Sequence, residues 1–262
     1  MKRKYVTAFL MTLILIVAPV SDPFVTRVSA AENHISAAAD VVDLNESDWD
    51  TVSERIDTAL KSAEYRNVNV FTGYAVEVPD AILKELAGKK ATLALHTGDG
   101  LAISITGTQI RATDKTFKLI MSSEKKIPES VTQKVTENAV VVREFNMVEK
   151  EPFPFRVNVH VGLGTENAGK PAILYSYDEG TDTLQMTGIY PINESGSAMF
   201  GLNKGDEYLI VVRQGSAYVV KPGEYLGGIA RRNGISVRTL MEANPHIVNA
   251  DFIYPGQVVI IP

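Results

Sequence analysis

Between Phe155 and Val161 apolar and polar side chains alternate without a break: Phe155-Arg156-Val157-Asn158-Val159-His160-Val161. A period of two sends successive side chains to opposite faces of a strand, so this segment predicts a strand with one buried face and one wet face. Short apolar runs of the same kind recur at 67–72, 92–96, 101–106, 116–121, 140–145, 172–177, 183–188, 198–202 and 207–213, divided by Gly, Asp, Asn and Ser turns. Thr97-Gly98-Asp99-Gly100 between two of them is a hairpin signal.

A helical period replaces the alternation in three places. Trp49, Val52, Ile56, Ala59 and Leu60 form one apolar stripe, with Glu54, Asp57 and Lys61 on the other face, and Ser47 with Asp50 has capping-box spacing. Pro79 to Leu86 reads as a short helix that starts on proline and ends at Gly88, and 128–135 as a helical turn. Residues 46–213 thus read as a sandwich-like α+β domain, rich in antiparallel strands and carrying a few short helices. Residues 31–45, rich in Ala, Asn, Ser and Asp, read as a flexible leader.

From Tyr218 the pattern tightens. Tyr218-Val219-Val220 predicts a strand and Lys221-Pro222-Gly223-Glu224 a turn; 225–233 predicts a helix stopped by Gly234. Ser236 caps a second helix to about Ala243, ended by Asn244-Pro245, and after the turn Tyr254-Pro255-Gly256-Gln257 the run 258–261 closes as a strand. This is a small βααβ unit, with 214–217 as the linker before it. Gly227 and Gly228 inside the first helix each cost about 1 kcal/mol relative to Ala, which predicts a frayed start.

The N-terminus has a different character. Lys2, Arg3 and Lys4 precede an apolar run from Tyr5 to Val20, and Val28-Ser29-Ala30 fits a small-residue cleavage site. Residues 1–30 are expected to be a secretory signal peptide removed after Ala30, because a run of that length, interrupted by Pro19, is short of the ~30 Å hydrocarbon core. Removing its four basic groups and one acid changes the balance from 26 Lys+Arg against 31 Asp+Glu to 22 against 30, a net charge of −8 instead of −5. No basic block remains to favour nucleic acid, and no second apolar stretch suits a membrane span. The absence of cysteine excludes disulfides and thiolate chemistry.

Residues 218–262 closely resemble the LysM family of glycan-binding modules. The resemblance is carried by Tyr218-Val219-Val220-Lys221-Pro222-Gly223-Glu224-Tyr225-Leu226, Ile229-Ala230, Asn233-Gly234-Ile235-Ser236-Val237, Leu240, Asn244-Pro245-His246-Ile247 and Ile253-Tyr254-Pro255-Gly256-Gln257. It implies binding of an N-acetylglucosamine-containing polymer, peptidoglycan or chitin-like, in a shallow groove between two loops. The first wall would be Gly223, Glu224, Tyr225 and Leu226; the second would run from Asn249 through Asp251, Phe252, Ile253 and Tyr254. Backbone N–H and C=O groups on such loops suit the acetamido group, and apolar side chains suit its methyl and the pyranose faces. Leu226 and Ile253 fit a core as readily as a groove, Tyr254 could pack on the sheet, and His246 reads as a solvated loop residue. Tyr225 stands where the family usually has a small hydroxyl residue, and Asn233 where it tends to have an aromatic one.

The middle region is similar to a β-rich module of wall- and surface-associated proteins of anaerobic Gram-positive bacteria. The likeness rests on Val78-Pro79-Asp80-Ala81-Ile82-Leu83, Leu86-Ala87-Gly88-Lys89-Lys90-Ala91-Thr92-Leu93, Ile105-Thr106-Gly107, Ile127-Pro128 and 164–170 leading to Leu174-Tyr175. It implies location and a structural or adhesive role, with wall or surface proteins as possible partners. Searching for chemistry yields little: His34, His96, His160 and His246 are scattered, with no HExxH and no Gly-x-Ser-x-Gly elbow. Gly162 to Asn167 lies between strands and reads as a turn, not a phosphate loop, and Asp178, Glu179 and Asp182 read as turn formers. No catalytic residue, metal or cofactor is expected. The reading is a secreted, non-catalytic wall protein, with a surface- or spore-layer component as the first alternative and a wall hydrolase as the second.

Overall fold

The computed structural model describes residues 41–262 apart from 46, 62–65, 73–74, 98–99, 112–116 and 149. The expected signal peptide, 1–30, lies outside the described residues. The order of elements begins β1 (Val41–Asp43), α1 (Trp49–Leu60), β2 (Arg66–Phe71), β3 (Ala75–Val78), α2 (Asp80–Leu86), β4 (Ala91–His96) and β5 (Leu101–Thr106). It continues with β6 (Phe117–Ser122), α3 (Glu129–Thr136), β7 (Val141–Met147), β8 (Pro152–Gly162), β9 (Pro171–Asp178), β10 (Thr183–Pro191), β11 (Ser197–Lys204) and β12 (Glu207–Val212). The small unit follows as β13 (Ser216–Val219), α4 (Leu226–Arg232), α5 (Val237–Glu242) and β14 (Val258–Ile261).

Two six-stranded sheets build the large domain, in the orders β1-β2-β4-β5-β8-β11 and β10-β9-β12-β7-β6-β3. Their inner faces share one apolar core. Leu93, Leu95, Ile103, Ile105, Val157 and Val159 come from the first sheet, and Phe145, Leu174, Tyr208 and Ile210 from the second. The alternation at 155–161 is realised as expected, with Phe155, Val157, Val159 and Val161 buried. Helices α1 and α2 add Val52, Ile56, Ile82, Leu83 and Leu86 to the same core, and α3 contributes Val131 to a smaller cluster with Leu209, Val211 and Tyr177 on the outer face of the second sheet.

Three expectations need correction. Strands β1, β2 and β4 run parallel, not antiparallel, because α1 and α2 intervene and bring the chain back in the same direction. Residues 41–43 belong to the first sheet, not to a flexible leader: Val42 is buried and the segment pairs with Asn69–Phe71. The cap of α1 is Asp48, not Ser47; its side chain accepts from the Thr51 N–H at 3.0 Å. Gly162 to Asn167 is a turn as expected, with Gly164 at φ +92 and Thr165–Asn167 in a single 3-10 turn. The other loop readings hold: Asp178 accepts from the Gly180 and Thr181 N–H groups, and Asp182 sits at φ +52 while accepting from the Tyr177 hydroxyl.

The small unit joins the large one with almost no slack. Ser216 and Ala217, expected in a linker, are already strand, paired with Ile261 and Ile260, which leaves only Gln214 and Gly215 between the domains. Gly215 takes φ +96, and a Cβ there would collide with the Ile261 carbonyl. The Ala217 N–H donates to the Gly169 carbonyl at 2.8 Å, and β10 runs against both β13 and β14. Ile260 is buried although it lies outside the small unit's own apolar cluster.

Candidate functional site

The core of 218–262 is Val220, Leu226, Ile229, Ala230, Leu240, Ile247 and Val259, with both helices against one face of the two-stranded sheet. Asn244 fastens this arrangement. Fully buried, it donates to the Leu240 and Ile260 carbonyls and accepts from the Ile260 N–H, each at 2.7 Å, clipping the end of α5 onto β14. Sequence reading placed Asn244 as a helix terminator only; its second role is invisible without knowing that β14 passes beside it.

Two loops emerge at the same end of the sheet. The first, 220–225, turns at Gly223, whose φ of +80 favours glycine. The second, 249–257, turns at Gly256, with φ +87. Val220 ties them together: its N–H donates to the Gln257 carbonyl at 2.9 Å and its carbonyl accepts from the Gly256 N–H at 2.8 Å.

The first wall divides into structural and exposed parts. Leu226 is fully buried in the core, so its placement in the glycan groove is corrected; as the first residue of α4 it turns inward with Ile229 and Ala230. Glu224 is internally committed: its carboxylate accepts from the Tyr218 hydroxyl at 2.8 and 2.9 Å and from the Lys221 N–H at 2.8 Å, and it pairs with Arg232. The Lys221 N–H, with Tyr218 and Arg232, holds its carboxyl below the usual carboxylate range. Tyr225, by contrast, is 59% exposed. Its carbonyl accepts from the Gly228 and Ile229 N–H groups, starting α4, while its ring lies over two glycines. A Cβ at Gly227 would stand 3.3 Å from the ring, and one at Gly228 3.2 Å. The glycines expected to fray the helix therefore provide a bare first turn on which an aromatic ring rests.

In the second wall, Asn249 Oδ1 accepts from the Asp251 N–H at 2.9 Å, a local turn that leaves both residues exposed. Ile253 is half-buried and packs on the module's core, whereas Phe252 and Tyr254 are 64% and 65% exposed. Gln257 Oε1 accepts from the Tyr254 N–H at 3.0 Å. A shallow depression opens on this wall, lined by His246, Ile247, Val248, Asn249, Phe252, Tyr254 and Gln257. Burial holds the His246 imidazole below its ordinary pKa, which favours its neutral form. His246, Val248 and Gln257 were not singled out as ligand contacts from the sequence, because the loop mixes apolar and polar residues without a period and only the fold shows which of them face outward.

Residues 218–262 match the model of the LysM domain family. This stretch is a LysM domain. Over 42 residues the chain is 50% identical to an endolysin of Bacillus phage B103, a match that covers 16% of this chain and 16% of that protein. The likeness is therefore confined to the LysM domain and leaves the remainder of both proteins uncompared. Elsewhere, among the described residues, no group of three or more His, Asp or Glu side chains is placed to hold a metal, and no helix is long and apolar enough to cross a membrane.

Proposed function

We propose that this chain is an exported, non-catalytic cell-wall protein that binds N-acetylglucosamine-containing glycan, peptidoglycan or a chitin-like polymer, through its LysM domain and displays the β-rich domain on the wall. The observation that carries the reading is the LysM match over the whole of 218–262, coupled with Tyr225 and Tyr254 exposed on two loops at the same end of the sheet. The ligand's neutral sugars suit these walls: the one acid in the first, Glu224, is neutralised internally by Arg232. A binding-only role is supported by the one acidic cluster the sequence singles out, where Asp178 and Asp182 are engaged in turn hydrogen bonds at a hairpin tip.

The charge distribution supports the same division of labour. Residues 218–262 hold four basic groups and three acids, so the acidity of the chain lies in the β-rich domain, which suits anionic wall polymers poorly. A single shallow site binds weakly, and retention on the wall then depends on the density of glycan repeats. The test is sedimentation with insoluble peptidoglycan. The full mature chain should pellet, and a chain ending at Gln214 should stay in solution; pelleting of the shortened chain would overturn the assignment. Incubation of the same chain with purified walls should release neither reducing ends nor amines.

A further inference from the structure

At one end of the second sheet, two polar side chains stand beside each other, each with a buried oxygen that lacks a hydrogen bond. Glu207 of β12 is paired in register with Asn146 of β7, which puts both side chains on one face with Cβ atoms about 4.5–5.5 Å apart. Asn146 is 2% exposed, and its Nδ2 donates to the Glu124 carbonyl just beyond β6. Strand β7 lies between β6 and β12, so an amide whose NH₂ is drawn toward β6 turns its oxygen toward β12 and Glu207. That oxygen, Asn146 Oδ1, is buried and has no donor among the described residues, and the same is true of Glu207 Oε2. Neighbouring buried acceptors without a donor are costly, and a cation or a donor between them removes the cost.

The surrounding charge is negative. Glu207 Oε1 and Glu179 Oε2 both pair with the Lys150 ammonium, at 3.0 and 3.3 Å, and Asp178 and Asp182 share the β9–β10 turn with Glu179. The Asp182 hydrogen bond, burial, and the charges of Glu179 and Glu207 together push the neighbouring Tyr177 hydroxyl up to about 12. One point in this region thus already holds a cation against two carboxylates, and the side chain that supplies it is half exposed, on a flexible stem. We propose that Glu207, Glu179 and Asn146 Oδ1 form a calcium site, in which Ca²⁺ displaces the Lys150 ammonium into solvent and waters complete the shell. All three donors are hard oxygens, the chemistry that suits Ca²⁺ and Mg²⁺ and not the metals that seek thiolate or imidazole. They come from two strands and a turn, a loose cage that fits the adaptable coordination of Ca²⁺ better than the strict octahedron of Mg²⁺. With only two carboxylates and a competing lysine, the site belongs to the weak class of extracellular modules, with a dissociation constant on the order of 1 mM. An ion held there ties β7, β12 and the β9–β10 turn together and satisfies both buried oxygens.

The test is thermal denaturation of the full mature chain in CaCl₂, in MgCl₂ and in NaCl of matched ionic strength, with calorimetric titration of CaCl₂ alongside. At about 10 mM Ca²⁺ the midpoint of the β-rich domain should rise by about 3–5 °C, with a smaller rise in Mg²⁺ and none in NaCl. Lys150→Met, which removes the competing cation, should bind Ca²⁺ about fivefold more tightly, the worth of one like charge at contact distance in water. Glu179→Gln, exposed on its turn, should weaken binding by about the same factor while leaving the calcium-free midpoint within about 1 °C of wild type. Midpoints that do not differ between CaCl₂ and MgCl₂, for wild type and Lys150→Met alike, would overturn the site and leave an ordered water to bridge Asn146 and Glu207. So would a calcium response that Glu179→Gln leaves unchanged. Neither result touches the glycan reading, which rests on the LysM domain.

Discussion

At the scale of single residues, the LysM domain separates side chains that hold it together from side chains that face outward, and the two kinds are neighbours in sequence. Leu226 is in the core and Tyr225 beside it is exposed; Ile253 packs inward and Tyr254 projects. Asn244 belongs wholly to the first kind. Its three hydrogen bonds satisfy backbone groups on two elements at once, and removing it leaves buried N–H and C=O groups without partners. Asn244→Ala is expected to cost roughly 1–3 kcal/mol of domain stability, the range for leaving a buried polar group unsatisfied. Thermal denaturation of the full chain should show the LysM transition lowered and that of the β-rich domain unmoved. Glycan affinity measured well below the transition should be little changed, because Asn244 touches neither wall.

At the scale of elements, helix α4 departs from ordinary helix design. A helix-interior Gly is normally about 1 kcal/mol worse than Ala. Here the two glycines leave the first turn bare, and the Tyr225 ring occupies the space. Gly228→Ala should therefore raise helix propensity and at the same time push the ring, the far end of an exposed side chain, off its platform. The expected outcome is unchanged or slightly raised thermal stability with glycan affinity reduced about threefold or more, since a displaced aromatic contact is worth on the order of 1 kcal/mol. A fall in stability with affinity intact would mean the platform serves packing alone. The element-level reading of the sequence was accurate at 155–161 and 49–60, where one face is buried along the whole element, but it passed over β3, whose Val78 is buried. It failed at 41–43, where a three-residue strand lies in a polar stretch and only its pairing with Asn69–Phe71 gives it a role.

Across the whole molecule, stability depends on pH through groups far from the LysM walls. His96 Nε2 meets Asn69 Oδ1 at 3.1 Å and His160 Nε2 meets Ser104 Oγ at 2.9 Å, both on the first sheet. Burial holds both imidazoles below their ordinary pKa of 6.5, and for His160 the proximity of His96 adds to the effect. The unfolded chain therefore takes up protons first as pH falls. The stabilisation from keeping these rings neutral is complete above about pH 6.5 and is lost progressively below it, as the unfolded state charges while the folded state resists. Denaturant unfolding of the β-rich domain should show its midpoint falling from pH 7 to pH 5, with a smaller slope in the His96→Gln, His160→Gln double variant. An unaltered slope in that variant would assign the acid sensitivity to carboxylates. The short connection at Gln214 and Gly215, with the Ala217–Gly169 hydrogen bond, holds the LysM domain against strand β10 and leaves the loops 220–225 and 249–257 at the opposite end of β13 and β14.

Local order was legible in the chain itself. Periods of two and 3.6 located the strands and helices, positive-φ glycines marked turns at Gly88, Gly223, Gly234 and Gly256, and the ordered motifs of 218–262 identified the LysM domain before any coordinates. These signals are short-range, and so they survive in one dimension. Tertiary structure alone decided the parallel pairing of β1, β2 and β4, the inward turn of Leu226, the internal neutralisation of Glu224, the second role of Asn244 and the depression that Val248 lines. Each of those depends on which distant segment packs alongside, and that is set by the whole apolar core minimising its exposure, which no local pattern encodes.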